Sequence, residues 1–168
     1  AKSATFWYQA RNLFNNLITH SASKLTPLEY QIPFIADGYE DLKETIISKE
    51  KRGISIFQPR YRMSTLAYSG QPISIVKDIV DSSLGSLKKT PDVTYFIRIK
   101  PETSIQRLKD SGKLPDHFEK KFESVKRTYE AYEEIIKNPP YGEIVIIDGE
   151  RPVGEVAEDI IADLEKKI

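Results

Sequence analysis

The chain has 168 residues, with 25 basic and 25 acidic side chains and a formal net charge of zero. That balance argues against a nucleic-acid binder, which needs a positive field to attract phosphate backbones, and against an acidic disordered tail. With no cysteine and only two histidines, His20 and His117, disulfides, cysteine nucleophiles and thiolate or histidine metal sites are excluded or improbable, and no metal site is expected.

No apolar run approaches the ~20 residues of a membrane span, and the opening AKSATFWYQA lacks the form of a signal peptide. No membrane partner and a cytoplasmic location are therefore expected. Phe6, Ala10, Leu13, Phe14, Leu17 and Ile18 recur at helical spacing over residues 5–20. Thr26 next caps a helix opened by Pro27. That helix places Leu28, Ile32, Ile35, Tyr39, Leu42 and Ile46 on one face. Pro33 is expected to kink it and Gly38 to weaken it. Gly53 ends the segment and opens ISIF (54–57), a short apolar strand, while residues 58–70 have no clear period and read as a loop.

Pro72 starts another helix, with Ile75, Val76, Ile79 and Val80 inward. VTYFIRI (93–99) is a β-branched and aromatic strand, followed by a short helix from Pro101 through Ile105 and Leu108. Phe118, Phe122, Val125, Tyr129, Tyr132 and Ile136 mark the next helix, EIVIID (143–148) a third strand, and Val156, Ile160, Ile161, Leu164 and Ile168 the last helix. Alternation of this kind predicts an α/β fold: a three-layer parallel sheet with helices on both faces, in one domain over residues 1–168.

The stretch Gln58-Pro59-Arg60-Tyr61-Arg62-Met63-Ser64-Thr65-Leu66-Ala67-Tyr68-Ser69-Gly70 would lie at the carboxyl end of a parallel strand, where α/β sheets bind ligands. Two arginines, hydroxyls and tyrosines there suit a phosphate-bearing ligand. The other reading is a polar loop whose arginines pair with nearby carboxylates.

GISIFQPRYRMSTLAYSG (53–70) resembles the signature of the thymidylate kinase family, a P-loop nucleoside monophosphate kinase: a strand, Asp-Arg-Tyr, then Ser-x-Leu-Ala-Tyr-Gln-Gly. PDVTYFIRIKPETSIQRLK (91–109), PDHFEKKFESVKRTYEAY (115–132), IVIIDGERPVGEV (144–156) and LTPLEYQIPFIADGYEDL (25–42) are similar to further family segments, in the family's order. The resemblance implies a role for each matching position. Phe34 would stack on the thymine base, Arg60 would hold the monophosphate, and Ser64 and Tyr68 would surround the nucleoside. Arg107 would lie against adenine. Lys109 and Lys113 would belong to a basic lid at about 109–117. On the residues alone, Phe34 also reads as core, Arg107 as a surface pair with Glu102 or Asp110, and the lid lysines as a solvated loop.

The departures bear on activity. Residues 1–168 contain no G-x-x-x-x-G-K-[ST] sequence, whose loop and lysine supply much of the charge neutralisation in phosphoryl transfer. Pro59 stands in place of the family's aspartate, which helps hold magnesium through water, and proline offers neither a ligand nor an N–H. Gly38 replaces an arginine that reads the base, His117 a lid-side arginine, and Ser69 a glutamine. The family's first two strands and first helix have no counterpart, and the first of those strands would sit between 54–57 and 93–99.

Three expectations follow. One is a catalytically degenerate thymidylate-kinase-like domain, retained for nucleotide binding or assembly, with dTMP or a related nucleotide as ligand and no intrinsic cofactor. Another is an active dTMP kinase, using ATP and magnesium, whose N-terminal P-loop segment lies outside this sequence. The third is an interaction module in which the front helix, with Phe6, Trp7, Phe14 and Leu17, forms a homodimer or binds another chain.

Overall fold

The structure, a computed structural model, describes residues 25–85, 87, 89–112 and 121–167. The helix predicted over 5–20, with Lys113, His117 and Phe118, lies outside the described residues. The chain divides into two compact units, Ala1–Lys88 and Lys89–Ile168.

In the first unit, helix α1 (Pro27–Glu40) starts as the sequence predicts. Thr26 Oγ1 accepts the Glu29 N–H at 3.2 Å, and the Glu29 carboxylate accepts the Thr26 N–H at 2.7 Å. This reciprocal capping box satisfies two donors that a helix start leaves without partners. Pro33 sits inside α1 without ending it, and the helix continues through a π-helical segment, Asp41–Ile46, and a last turn, Ile47–Glu50. It closes in a Schellman motif: Ile54 N–H donates to Lys49 O at 3.1 Å and Gly53 N–H to Glu50 O at 2.8 Å. Gly53 adopts φ +69°, a conformation that favours glycine.

Among the described residues this unit also contains two short helices, α2 (Arg62–Tyr68) and α3 (Ile73–Leu84). Its buried apolar residues are Leu42, Ile46, Leu66, Ala67, Val76 and Val80. The predicted faces hold in part. Leu42 and Val76 are fully buried, but Ile32, Ile75 and Ile79 are exposed, and Gln31 is buried in the face expected for Ile32.

Two expectations are corrected here. Residues 54–57 form no strand, and Ile54 and Phe57 are exposed. A strand needs a neighbour for its N–H and C=O groups, and no ladder partner for this segment occurs among the described residues. The second correction concerns 58–70, which is not all loop, since α2 occupies Arg62–Tyr68. Its buried positions, Arg62, Thr65, Leu66 and Ala67, include three in succession and one arginine. They leave no apolar stripe of helical period to read.

The second unit is β1 (Val93–Arg98), α4 (Pro101–Asp110), α5 (Phe122–Lys137), β2 (Glu143–Asp148) and α6 (Val153–Lys167). β1 and β2 pair in parallel, in register from Val93↔Glu143 to Arg98↔Asp148. Side chains alternate across a strand, and the two faces take different helices. On one face the Phe96 ring lies 5.1 Å from that of Tyr132 on α5. On the other, Tyr95 Oη donates to Asp163 on α6 at 2.7 Å, and Lys167 Nζ lies 2.8 Å from the Glu143 carboxylate. This unit thus has the expected α/β layering about a parallel pair, and these are the two strands found among the described residues. Ile135, Tyr141, Ile147 and Val156 are its buried apolar residues. On α5 the most buried positions, Thr128 and Ile135, fall one residue from the predicted Tyr129 and Ile136.

Candidate functional site

Two groups of the predicted site residues can be located. The first gathers where the chain enters α2. Arg60 has φ +59°, a left-handed conformation that costs a residue with a side chain about 1–2 kcal/mol. Its guanidinium carbon lies 4.5 Å from the Tyr68 ring centre, and its Nε donates a long hydrogen bond, 3.5 Å, to Ser64 Oγ. Arg60, Ser64 and Tyr68 therefore form one cluster, braced by a cation–π contact. No carboxylate among the described residues pairs with Arg60, so that alternative is not realised for this arginine.

Arg62 differs from Arg60. It is buried, its Nη2 donates to Tyr61 Oη at 3.1 Å, and its guanidinium carbon lies 5.0 Å from the Tyr61 ring centre. Ser69 is fully buried, donating to Leu66 O at 2.8 Å and accepting the Gln71 N–H at 3.2 Å. It secures the end of α2. Phe34 on α1 is 47% exposed, with its ring 5.8 Å from that of Tyr30; it is not a core residue. A Cβ on Gly38 would meet no atom within 4 Å, so packing does not require glycine there.

The second group belongs to the second unit. Arg107 forms neither of the pairs that its neighbours in sequence suggested. Its Nη1 donates to Gly149 O at 2.8 Å and its Nη2 to Glu150 O at 3.1 Å, while Asp110 accepts from Gln106 instead. Lys109 is exposed in the last turn of α4.

What the sequence did not show is that the turn after β2 holds Arg107. Gly149 follows β2 and closes on β1, with its N–H on Arg98 O at 2.8 Å. Glu150 Oε1 accepts the Lys100 N–H at 2.6 Å, and its Oε2 accepts from Thr103 Oγ1 at 2.7 Å. These bonds, the backbone one first, together with the Lys100 and Arg107 charges, hold the Glu150 carboxyl below its ordinary range. The one available signal was the DGER turn after a strand. Nearby, Arg98 makes a two-pronged ion pair with Glu133, which raises the arginine and lowers the carboxyl.

The donor set does not fit a magnesium ion at the Arg60 loop. Pro59 supplies no ligand, and no group of three or more His, Asp or Glu residues that could hold a metal occurs among the described residues. No described helix is long and apolar enough to cross a membrane.

The thymidylate kinase family model matches residues 9–160. A thymidylate kinase of Lactobacillus acidophilus is 26% identical over 95% of this chain and 75% of its own length. A probable thymidylate kinase of Pyrobaculum calidifontis is 31% identical over 79% of this chain and 65% of its own length. A thymidylate kinase of Legionella pneumophila is 28% identical, with 76% and 60% covered. The chain thus spans three-fifths to three-quarters of the length of these relatives. The parallel β1–β2 pair between helices accords with the family's fold, and the family match extends over the residues of both arginine clusters: this chain belongs to the thymidylate kinase family.

Proposed function

We propose that residues 1–168 form a nucleotide-binding thymidylate kinase domain that takes thymidine monophosphate at Arg60. Arg60 donates to the phosphate, Ser64 and Tyr68 shape its surroundings, and Phe34 offers its exposed ring to the base. The observation that carries this reading is the strained Arg60, stacked on Tyr68 and paired with no carboxylate among the described residues. A guanidinium held out in this way suits a doubly charged oxyanion. Arg107 lies against adenine, and Lys109 and Lys113 reach the polyphosphate from the lid. By itself this stretch does not transfer the phosphoryl group, because it has no phosphate-loop motif and has Pro59 at the magnesium-side position. Assembly into a homodimer through the segment 5–20 belongs to the same reading.

The names of the relatives favour a second reading, an active dTMP kinase (ATP + dTMP to ADP + dTDP) in nucleotide biosynthesis, with the phosphate loop supplied by chain outside this sequence. One experiment separates the two. The melting temperature is measured against dTMP, and dTDP is then assayed with ATP and magnesium. A saturable rise without dTDP supports the first reading. Turnover transfers support to the second, and the absence of any rise overturns dTMP binding.

A further inference from the structure

The Arg107 guanidinium is fixed by two backbone carbonyls rather than by a carboxylate, so its position is only as well defined as the turn carrying those carbonyls. Three attachments, four hydrogen bonds in all, tie that turn down. Gly149 N–H reaches Arg98 O, Glu150 N–H reaches Asp148 Oδ1 at 3.0 Å, and the Glu150 carboxylate bridges the Lys100 N–H and the Thr103 hydroxyl. The last of these joins the turn to the first turn of α4, the helix that carries Arg107. Lys100 makes no side-chain cap of its own, so Glu150 also does the capping at the start of α4. One carboxylate thereby locks both ends of the arginine's support: the helix it grows from and the carbonyls it points to.

We infer that Glu150 is the positioning residue for Arg107: by bridging Lys100 N–H and Thr103 Oγ1 it sets the plane in which the guanidinium meets a flat heterocyclic base. This rests on the reading of Arg107 as the adenine contact. A guanidinium gains from lying on a ring only when its plane is held parallel to it, and a swinging side chain loses that gain.

The test uses the full chain in five forms: unchanged, Glu150→Ala, Arg107→Ala, the double variant and, as a milder change that removes one of the two bonds, Thr103→Val. Two quantities are read. One is the Arg107 Nε–H signal in NMR of the ligand-free protein. The other is the ratio of affinities for ATP and inorganic tripolyphosphate, which isolates the base; dTMP affinity serves as control. Glu150→Ala and Thr103→Val should broaden the Nε–H signal. Glu150→Ala should lower the ATP preference about fivefold, as much as Arg107→Ala does, with no further loss in the double variant and dTMP affinity kept.

A sharp, unshifted Nε–H signal in Glu150→Ala and Thr103→Val overturns the inference, as does an ATP preference that Arg107→Ala loses and Glu150→Ala retains. A broadened signal in a protein that does not prefer ATP over tripolyphosphate upholds the positioning by Glu150 and overturns the adenine reading of Arg107.

Discussion

Gly149→Ala is the substitution whose effect the structure specifies most closely. A Cβ there would lie 2.5 Å from Ile99 Cγ2, 2.7 Å from Ile97 Cγ2 and 2.9 Å from Arg98 O. The methyl contacts are about 1 Å inside ordinary van der Waals separation. Both methyls sit on β-branched side chains, which are stiff at χ1, and the third neighbour is backbone. The turn cannot back away without stretching the Gly149 N–H···O=C bond to Arg98, now 2.8 Å. Overpacking of this kind, with a weakened hydrogen bond, costs about 2–3 kcal/mol. For a unit of this size that is a fall of about 10–20 °C in melting temperature, read by calorimetry. Gly154→Ala is the control: it lies in α6, where a Cβ meets nothing within 4 Å, and should be neutral or slightly stabilising. A Gly149→Ala protein melting within about 3 °C of the parent would refute the account of how this turn closes on β1.

Thr26→Ala removes the capping box of α1 and should destabilise the first unit by about 1 kcal/mol, measured by urea unfolding followed by circular dichroism. Glu133 is held below its ordinary value of 4.5, by its bonds from Arg98 first, so its stabilising effect is full above that value and lost as pH falls through the lower folded one. Glu133→Gln should flatten the acid limb of a stability–pH curve, and an unchanged limb would count against the pair. Tyr95 is raised from 10.0 to about 12, by desolvation first and then by its bond to Asp163. A raised phenol stabilises the fold below its unfolded value, and that stability is lost as pH climbs from about 10 toward 12. Tyrosinate absorbance should show this late ionisation, and Tyr95→Phe should abolish it.

The strands and helices of the second unit were legible because each carries its own signal. VTYFIR and EIVIID are compact apolar runs whose observed bounds fall within a residue of the expected ones, and Pro101 marks the helix start where it was expected. The Thr26–Pro27 start was legible from cap chemistry that needs only four residues. The failures came where structure depends on neighbours. ISIF has strand composition, but a strand is defined by its partner, and none occurs among the described residues. α2 buries Arg62 and Thr65, which no hydrophobic pattern marks. In the candidate site, Arg60 and Arg107 were singled out by the resemblance to the family, not by any pattern of composition or period. The Tyr68 stacking of Arg60 occurs with a left-handed backbone that no sequence pattern marks, and the carbonyl partners of Arg107 lie 42 and 43 residues away. Glu150 could not be found from sequence, since its two donors sit 50 and 47 residues upstream.

The most direct measurement compares dTMP with thymidine by calorimetric titration of the parent protein and Arg60→Ala. If Arg60 holds the monophosphate, the parent should bind dTMP more tightly than thymidine by about 2 kcal/mol, roughly thirtyfold, and Arg60→Ala should lose most of that preference while keeping its affinity for thymidine. Equal binding of the two ligands by the parent, or a preference that survives in Arg60→Ala, would contradict the assignment.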